Sequence, residues 1–227
     1  VYALADCRQS LERLKGLAPE HPEAVLLDIG LHGRMGDARA HLAALQAAYA
    51  AGDPLSRLAS SVAMTALYDD RLAASEVAAL HRRLCAPIEA SVVEKTDFPN
   101  PRSTRHRLRI GYVTGDLHRQ HPVNLFMLPV LLRHDRRRFE VCLYHTGSMY
   151  DAYTRRARDA ADRWCEAARL DDQALQQAIL ADEIDLLVDL AGHTSSHRLG
   201  LFACAPRRCR RPSSAIRTRP GCRGSTG

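Results

Sequence analysis

Leu108-Arg-Ile-Gly-Tyr-Val-Thr-Gly-Asp-Leu-His-Arg-Gln-His-Pro122 decides how the rest of the chain is read. Leu108 to Val113 alternate and are β-prone, which predicts a strand. Thr114-Gly115-Asp116 carries turn chemistry and ends it. Pro122 then opens a helix through Leu125, Leu128, Leu131 and Leu132, since a proline in the first helical position gives up no needed N–H. Strand, polar loop and helix in this order is how an open α/β sheet builds a ligand crevice, at the carboxyl ends of its strands. Asp116, His118 and His121, the chemically able side chains of this crossover, all lie in that loop.

The pattern repeats downstream. After a polar connection from Arg133 to Arg138, Phe139-Glu-Val-Cys-Leu-Tyr144 predicts a second strand. A helix is expected from Tyr153 to Trp164, and another, capped by Asp171-Asp172, through Leu175, Ile179 and Leu180, the acids favouring its start through the helix dipole. Ile184 to Leu190 predicts a third strand, followed by Ala191-Gly-His-Thr-Ser195. Strands alternating with helices imply a parallel sheet with right-handed crossovers. Its crevice is expected between the loops after Val113, Tyr144 and Leu190.

Upstream the pattern is helical. Leu4, Leu11, Leu14 and Leu17 fall at helical spacing; a second helix starts at Pro22; Gly33-Arg-Met-Gly36 makes a turn; Ala38 to Ala51 is an alanine-rich helix closed by Gly52-Asp53-Pro54. This arrangement resembles one tetratricopeptide unit, and a plain helical hairpin gives the same pattern. Leu58, Val62, Leu67 and Leu72 form a further stripe, and Ser75-Glu76 starts a helix through Val77, Leu80 and Leu84. The expected organisation is a helical segment over 1–60 with a degenerate tetratricopeptide repeat, a helical connector over 61–96, a linker over 97–107 rich in proline and polar residues, an α/β lobe over 108–204, and an irregular basic tail over 205–227.

The net charge of +6 comes from that tail, which holds seven arginines and no acid; without it the chain carries 25 basic and 26 acidic side chains. A nucleic-acid footprint would have to live in the tail alone, which has no aromatic residue for base stacking, so no nucleic-acid partner is expected. No run of 18 apolar residues occurs, so no membrane partner is expected. The start of the chain lacks a basic region ahead of an apolar one, and the seven cysteines are scattered and odd in number. Both point to a cytoplasmic protein with reduced thiols.

Five blocks in order carry a resemblance: Leu108-Arg-Ile-Gly-Tyr-Val-Thr-Gly-Asp-Leu, His121-Pro122, Phe139-Glu-Val, Asp185-Leu-Leu-Val-Asp-Leu-Ala-Gly-His-Thr194 and Leu201-Phe-Ala203. In order and spacing they resemble the first catalytic lobe of the O-linked N-acetylglucosaminyltransferase family, including its SPINDLY-like bacterial members. The helices with Tyr68-Asp-Asp and Ser75-Glu-Val-Ala-Ala-Leu-His-Arg-Arg resemble the segment that joins tetratricopeptide repeats to that lobe. The fold class so implied is α/β: the Rossmann-like first lobe of a GT-B glycosyltransferase behind an all-helical segment. The implied activity is transfer of N-acetylglucosamine, or fucose in SPINDLY-type members, from a nucleotide sugar to Ser or Thr of proteins. The partners are then the nucleotide sugar (UDP-N-acetylglucosamine as donor) and protein acceptors, with no further cofactor and no metal.

The resemblance places His121 at the family's active-site histidine and Asp182 near an aspartate proposed as a base. Asp116, His193 and Thr194 fall on the crevice-lining turns and are the expected substrate-binding residues. Chemistry agrees for His121, because an imidazole just past a strand end accepts or relays a hydroxyl proton near neutral pH; a histidine that only caps the following helix fits the same position. The chain departs from the family after Ala203. Residues 205–227 read as a motif in a shifted frame, Arg-Pro-Gly-Cys-Arg-Gly-Ser-Thr-Gly standing where a Gly-Tyr-Pro motif is expected, and the second lobe is absent from the sequence. The expectation is a lobe inactive by itself, with a protein-binding module built on the helical segment as the alternative. His193, His197, Cys204 and Cys209 are spaced unlike a standard zinc site, and neither a Gly-x-Gly-x-x-Gly nor a phosphate-loop motif occurs.

Overall fold

The computed structural model describes residues 4–19, 21–52, 57–92, 107–119, 121–194, 197–204 and 210–212. The chain divides into two compact units, Val1–Pro87 and Ile88–Gly227. Among the described residues no helix is long and apolar enough to cross a membrane.

The first unit is helical, with α1 (Leu4–Leu17), α2 (Pro22–Arg34), α3 (Ala38–Ala50), α4 (Arg57–Ala66) and α5 (Ala74–Ala90). Its core gathers Ile29, Leu42, Leu45, Ala59, Val62, Ala63, Ala66 and Leu84. Small residues on α4 let its neighbours approach closely, which is what an alanine-rich helix offers a packed interface. Asp37 caps α3 by accepting from the Ala40 N–H at 2.9 Å, and Gly36 takes the left-handed φ of +72° that the turn before it requires. The expected stripe Leu58–Val62–Leu67–Leu72 is broken. Helix α4 stops at Ala66, closed by bonds from Leu67 N to Met64 O and Tyr68 N to Thr65 O, so Leu67 is left exposed.

The second unit is a five-stranded, fully parallel sheet in the order β3-β2-β1-β4-β5. Its elements are β1 (Leu108–Thr114), α6 (Pro122–Leu132), β2 (Phe139–His145), α7 (Ala152–Asp159), β3 (Arg163–Glu166), α8 (Asp172–Ala181), β4 (Leu186–Asp189), α9 (Leu199–Cys204) and β5 (Arg210–Pro212). Alternation along the strands feeds two cores. Ile110, Tyr112, Val141 and Leu143 meet Met127, Leu128 and Leu131 of α6. Val113, Cys142, Tyr144 and Leu187 meet Leu175, Ile179 and Leu201. Both faces of the sheet are thus buried, as a parallel sheet requires. Gly111 is needed where it stands, because a Cβ there would come within 3.1 Å of Ile184, Leu187 and Tyr144.

Two elements differ from expectation. Residues 163–166 form β3 rather than the end of a helix; α7 stops at Asp159, and Arg-Trp-Cys-Glu is too short to show a period. Residues 210–212 of the supposedly irregular tail form β5, parallel to β4 with Val188 opposite Arg211. The shifted-frame reading of 205–227 otherwise falls outside the described residues, as does most of the linker expected over 97–107.

Helix α6 is apolar on two sides. One side packs on the sheet, while Leu125 (70% exposed), Phe126, Val130 and Leu132 face outward.

Candidate active site

From β1 the chain moves to β2 and β3 on one side, then crosses to β4 on the other. The order reverses between β1 and β4, and in an open parallel sheet that switch point opens a crevice at the carboxyl ends of the strands. The loop after β1 and the turn after β4 supply its walls.

Asp116 is the centre of the cluster. It is 4% exposed. Its backbone N–H donates to Thr114 Oγ1 at 3.0 Å. Its Oδ2 accepts from Thr194 Oγ1 at 3.3 Å, which ties the loop after β1 to the turn after β4 across the switch point. Its Oδ1 lies 3.8 Å from His121 Nε2, ion-pair distance for a protonated ring.

His121 is both cap and crevice residue. As N-cap of α6 it accepts from the Val123 N–H through Nδ1 at a long 3.4 Å. That bond fixes the neutral tautomer, with the proton on Nε2 on the side of Asp116. The His118 ring stands 5.8 Å from it, tilted by 54°. The loop between them is anchored from α7: Asp151 accepts from the Arg119 N–H at 2.8 Å and from Tyr153 and Thr154 at the helix start. The Arg119 N–H, with the two helix N–H groups, pulls the Asp151 carboxyl down to about 2.

The other strand ends fit closely around this group. Thr146 N donates to Thr114 O at 3.0 Å, and Gly147 passes so near Gly115 that a Cβ would stand 2.8 Å from the Gly115 Cα. His145 is buried, contacts Met149 O through Nε2 at 3.2 Å and stacks on Trp164 at 5.2 Å; burial lowers its pKa.

The structure brings Asp116, His121 and Thr194 together. His193 shares the turn with Thr194 and is partly exposed. Asp182 lies elsewhere. It caps the C-terminal end of α8, ahead of β4 and so at the amino end of the sheet, where Tyr144 donates to it at 2.7 Å and Arg163 at 2.8 Å. Burial first, then this bond to Asp182, pushes the Tyr144 phenol well above its ordinary pKa.

Two residues of the site escaped the sequence reading. Asp189, the last residue of β4, accepts from the backbone N–H groups of Ala191 and Gly192 at 2.9 and 3.1 Å. Burial, with Asp116 adding to it, raises its carboxyl pKa. It hid inside the hydrophobic run Leu186 to Ala191. Asn124, in the first turn of α6, is 1% exposed, and among the described residues both its amide atoms lack a partner, which costs about 1–3 kcal/mol. Among the described residues no group of three or more His, Cys, Asp or Glu is arranged to hold a metal ion.

A doubly covered parallel sheet with an acid, an imidazole and a hydroxyl gathered at its switch point is the arrangement in which open α/β folds form a crevice. Residues 60–211 match glycosyl transferase family 41, and the chain belongs to that family. The probable UDP-N-acetylglucosamine–peptide N-acetylglucosaminyltransferase SPINDLY of Arabidopsis thaliana is 31% identical over 115 residues, 49% of this chain and 12% of the relative. Its counterpart in Oryza sativa subsp. japonica is 30% identical over 164 residues, 68% of this chain and 17% of the relative. The solved structure of a Thermobaculum terrenum O-GlcNAc transferase mutant superposes with a TM-score of 0.63 at 28% identity, over 88% of this chain and 45% of that one. The chain therefore spans less than a fifth of these two curated relatives and less than half of the solved one. Its architecture, a helical stretch followed by a helix-flanked parallel sheet, is that of a tetratricopeptide segment leading into a Rossmann-like GT-B lobe.

Proposed function

We propose that this chain is the first catalytic lobe of a nucleotide-sugar-dependent protein O-glycosyltransferase, passing N-acetylglucosamine from UDP-N-acetylglucosamine to a Ser or Thr hydroxyl. The family match supports the reaction class, and the Asp116–His121 pair at the switch point carries the assignment of the site.

The chemistry asks for a group that takes the acceptor's proton as its oxygen attacks the anomeric carbon of the sugar and the bond from that carbon to the phosphate oxygen breaks, releasing UDP. His121 is suited to that role. Its Nδ1 cap bond is long enough to give way to a substrate hydroxyl, and Asp116 stands beside Nε2, where it favours the imidazolium as it forms. Thr194 holds the other oxygen of Asp116 and keeps the carboxylate turned toward the ring. Asp182, bound to Tyr144 and Arg163, serves the sheet rather than the reaction.

We expect the 227-residue chain alone to transfer little or no sugar, because the solved relative that shares its fold is more than twice its matched length. The decisive assay is labelled N-acetylglucosamine transfer to Ser/Thr peptides by a longer protein that includes this lobe. His121→Ala should lower kcat at least about 100-fold, the ordinary range for a lost general base. An unchanged rate would remove His121 from the reaction and leave the family membership standing.

A further inference from the structure

Asp189 is a partly buried carboxylate at the crevice that the proposed reaction does not use. Among the described residues its bonds go to the turn that follows it: Oδ1 accepts from Ala191 N and Gly192 N, and Oδ2 from Gly192 N at 3.1 Å. Gly192 takes a left-handed φ of +57°, which places its N–H toward the carboxylate and reverses the chain. Leu190 N donates to Val113 O at 3.2 Å, and Thr194 N to Ala191 O at 3.0 Å, so the turn is pinned to β1 at one end and closed at the other. The Thr194 hydroxyl then lands on Asp116 Oδ2.

We propose that Asp189 is a positioning residue for the Asp116–His121 pair, acting through the shape of the turn 190–194 and the Thr194 hydroxyl that this shape delivers to Asp116. The path is continuous: Asp189 to the Ala191 and Gly192 amides, the turn to Thr194, Thr194 to Asp116, and Asp116 to the Nε2 edge of His121. A simple turn-former would hold the chain reversal and stop there. A carboxylate is an expensive choice for that task when the buried Asp116 adds to its cost of ionisation, and an asparagine carbonyl offers the same acceptor to both amides without the charge. What the path requires of position 189 is therefore an acceptor of this length; the ionised form is not required.

The inference rests on reading Asp116 and His121 as the site, but its test needs no sugar, so its failure is distinguishable from failure of the transferase assignment, which the His121→Ala assay judges. The full 227-residue chain is labelled at the histidine Cε1 and threonine methyl carbons, and the His121 ring signal is followed by NMR. Asp189→Ala should move that signal and the Thr194 methyl; Thr194→Val should also move the ring signal; the double variant should move the ring no further than Thr194→Val. Asp189→Asn should leave both signals in place. A His121 signal unmoved by Asp189→Ala, or an Asp189→Ala shift that persists in full on the Thr194→Val background, overturns the proposal. If Asp189→Ala does not fold, Asp189→Ser takes its place, and a ring signal unmoved by Thr194→Val alone overturns the proposal as well.

Discussion

The two ends of the sheet are built from the same strands and are electrostatic opposites. At the amino end, charges are paired. Arg109 bonds Glu183 and Glu140, Arg163 bonds Glu140 and Asp182, Arg136 bonds Asp162, and Asp185 accepts from the Arg109 N–H at 2.9 Å. At the carboxyl end, side chains are less fully paired. Asp116 faces His121 beyond hydrogen-bond reach, Asn124 has no partner among the described residues, and Asp189 is held at a raised pKa. One end contributes to stability; the other keeps bonding capacity in hand for a ligand, as working sites do at a cost in stability.

Removing a partner at the amino end should have the larger effect. Asp182→Ala strands the buried Tyr144 hydroxyl and leaves Arg163 with Glu140 alone, and should destabilise the chain by about 2 kcal/mol, read as a lower urea midpoint. Transfer by a longer protein should be untouched. A stable variant with lost transfer would bring Asp182 back to the chemistry and erase the contrast between the ends.

At the carboxyl end the sign should reverse. Asn124→Leu fills the same space without unpartnered amide atoms and should stabilise by about 1–2 kcal/mol. If Asn124 serves a ligand, the same variant loses nucleotide-sugar affinity. A destabilised Asn124→Leu protein would mean that the amide already works in the free chain.

Acid titration should separate the ends in opposite directions. Partial burial pushes the Asp162 carboxyl up, but the Val141 N–H and Arg136 together outweigh it, leaving it below the ordinary 3.8. Its stabilising contribution is therefore present above about 3.8 and lost as pH falls through its folded value. Asp189 is raised by burial above 3.8, so its ionised form weakens the fold at neutral pH and that penalty fades as pH falls through the raised value. Asp162→Asn should thus be less stable than the parent at pH 7 and Asp189→Asn more stable; in urea melts run across the range the Asp189→Asn difference should close as pH falls toward 3.8, and the Asp162→Asn difference only below it.

The smallest effect belongs to Glu183. Helix α8 ends in a Schellman motif, Glu183 N donating to Leu180 O and Ile184 N to Ile179 O, with Glu183 at a left-handed φ of 51° where glycine is usual. Glu183→Gly relieves about 1 kcal/mol of backbone strain and loses an exposed ion pair worth less. A net gain of about 0.5 kcal/mol should appear in thermal melts.

Much of this was legible in the sequence. Strands β1, β2 and β4 and helices α6 and α8 announce themselves because their apolar periods run for several residues and end in turn chemistry. The loop after β1 was legible as a crevice wall for the same reason, since its polar residues stand where a strand stops. β3 and β5 were not legible: four and three residues respectively show no period, and their pairing partners lie far along the chain. Asp182 entered as a site residue through the resemblance alone; its bonds to Tyr144 and Arg163 join residues 38 and 19 positions away and exist only after folding. Asp189 and Asn124 were hidden by apolar neighbours, and the hydrogen bonds that define one and are missing from the other exist only after folding.

The outward side of α6 has a practical consequence in solution. Leu125, Phe126, Val130 and Leu132 give each molecule an oily stripe on one helix. Pairwise attraction between such stripes lowers the osmotic second virial coefficient, and sulfate strengthens it by excluding itself from the surface. Concentrated samples of this chain should cloud first on adding ammonium sulfate, and replacing Leu125 and Phe126 with lysine should move the cloud point to higher salt.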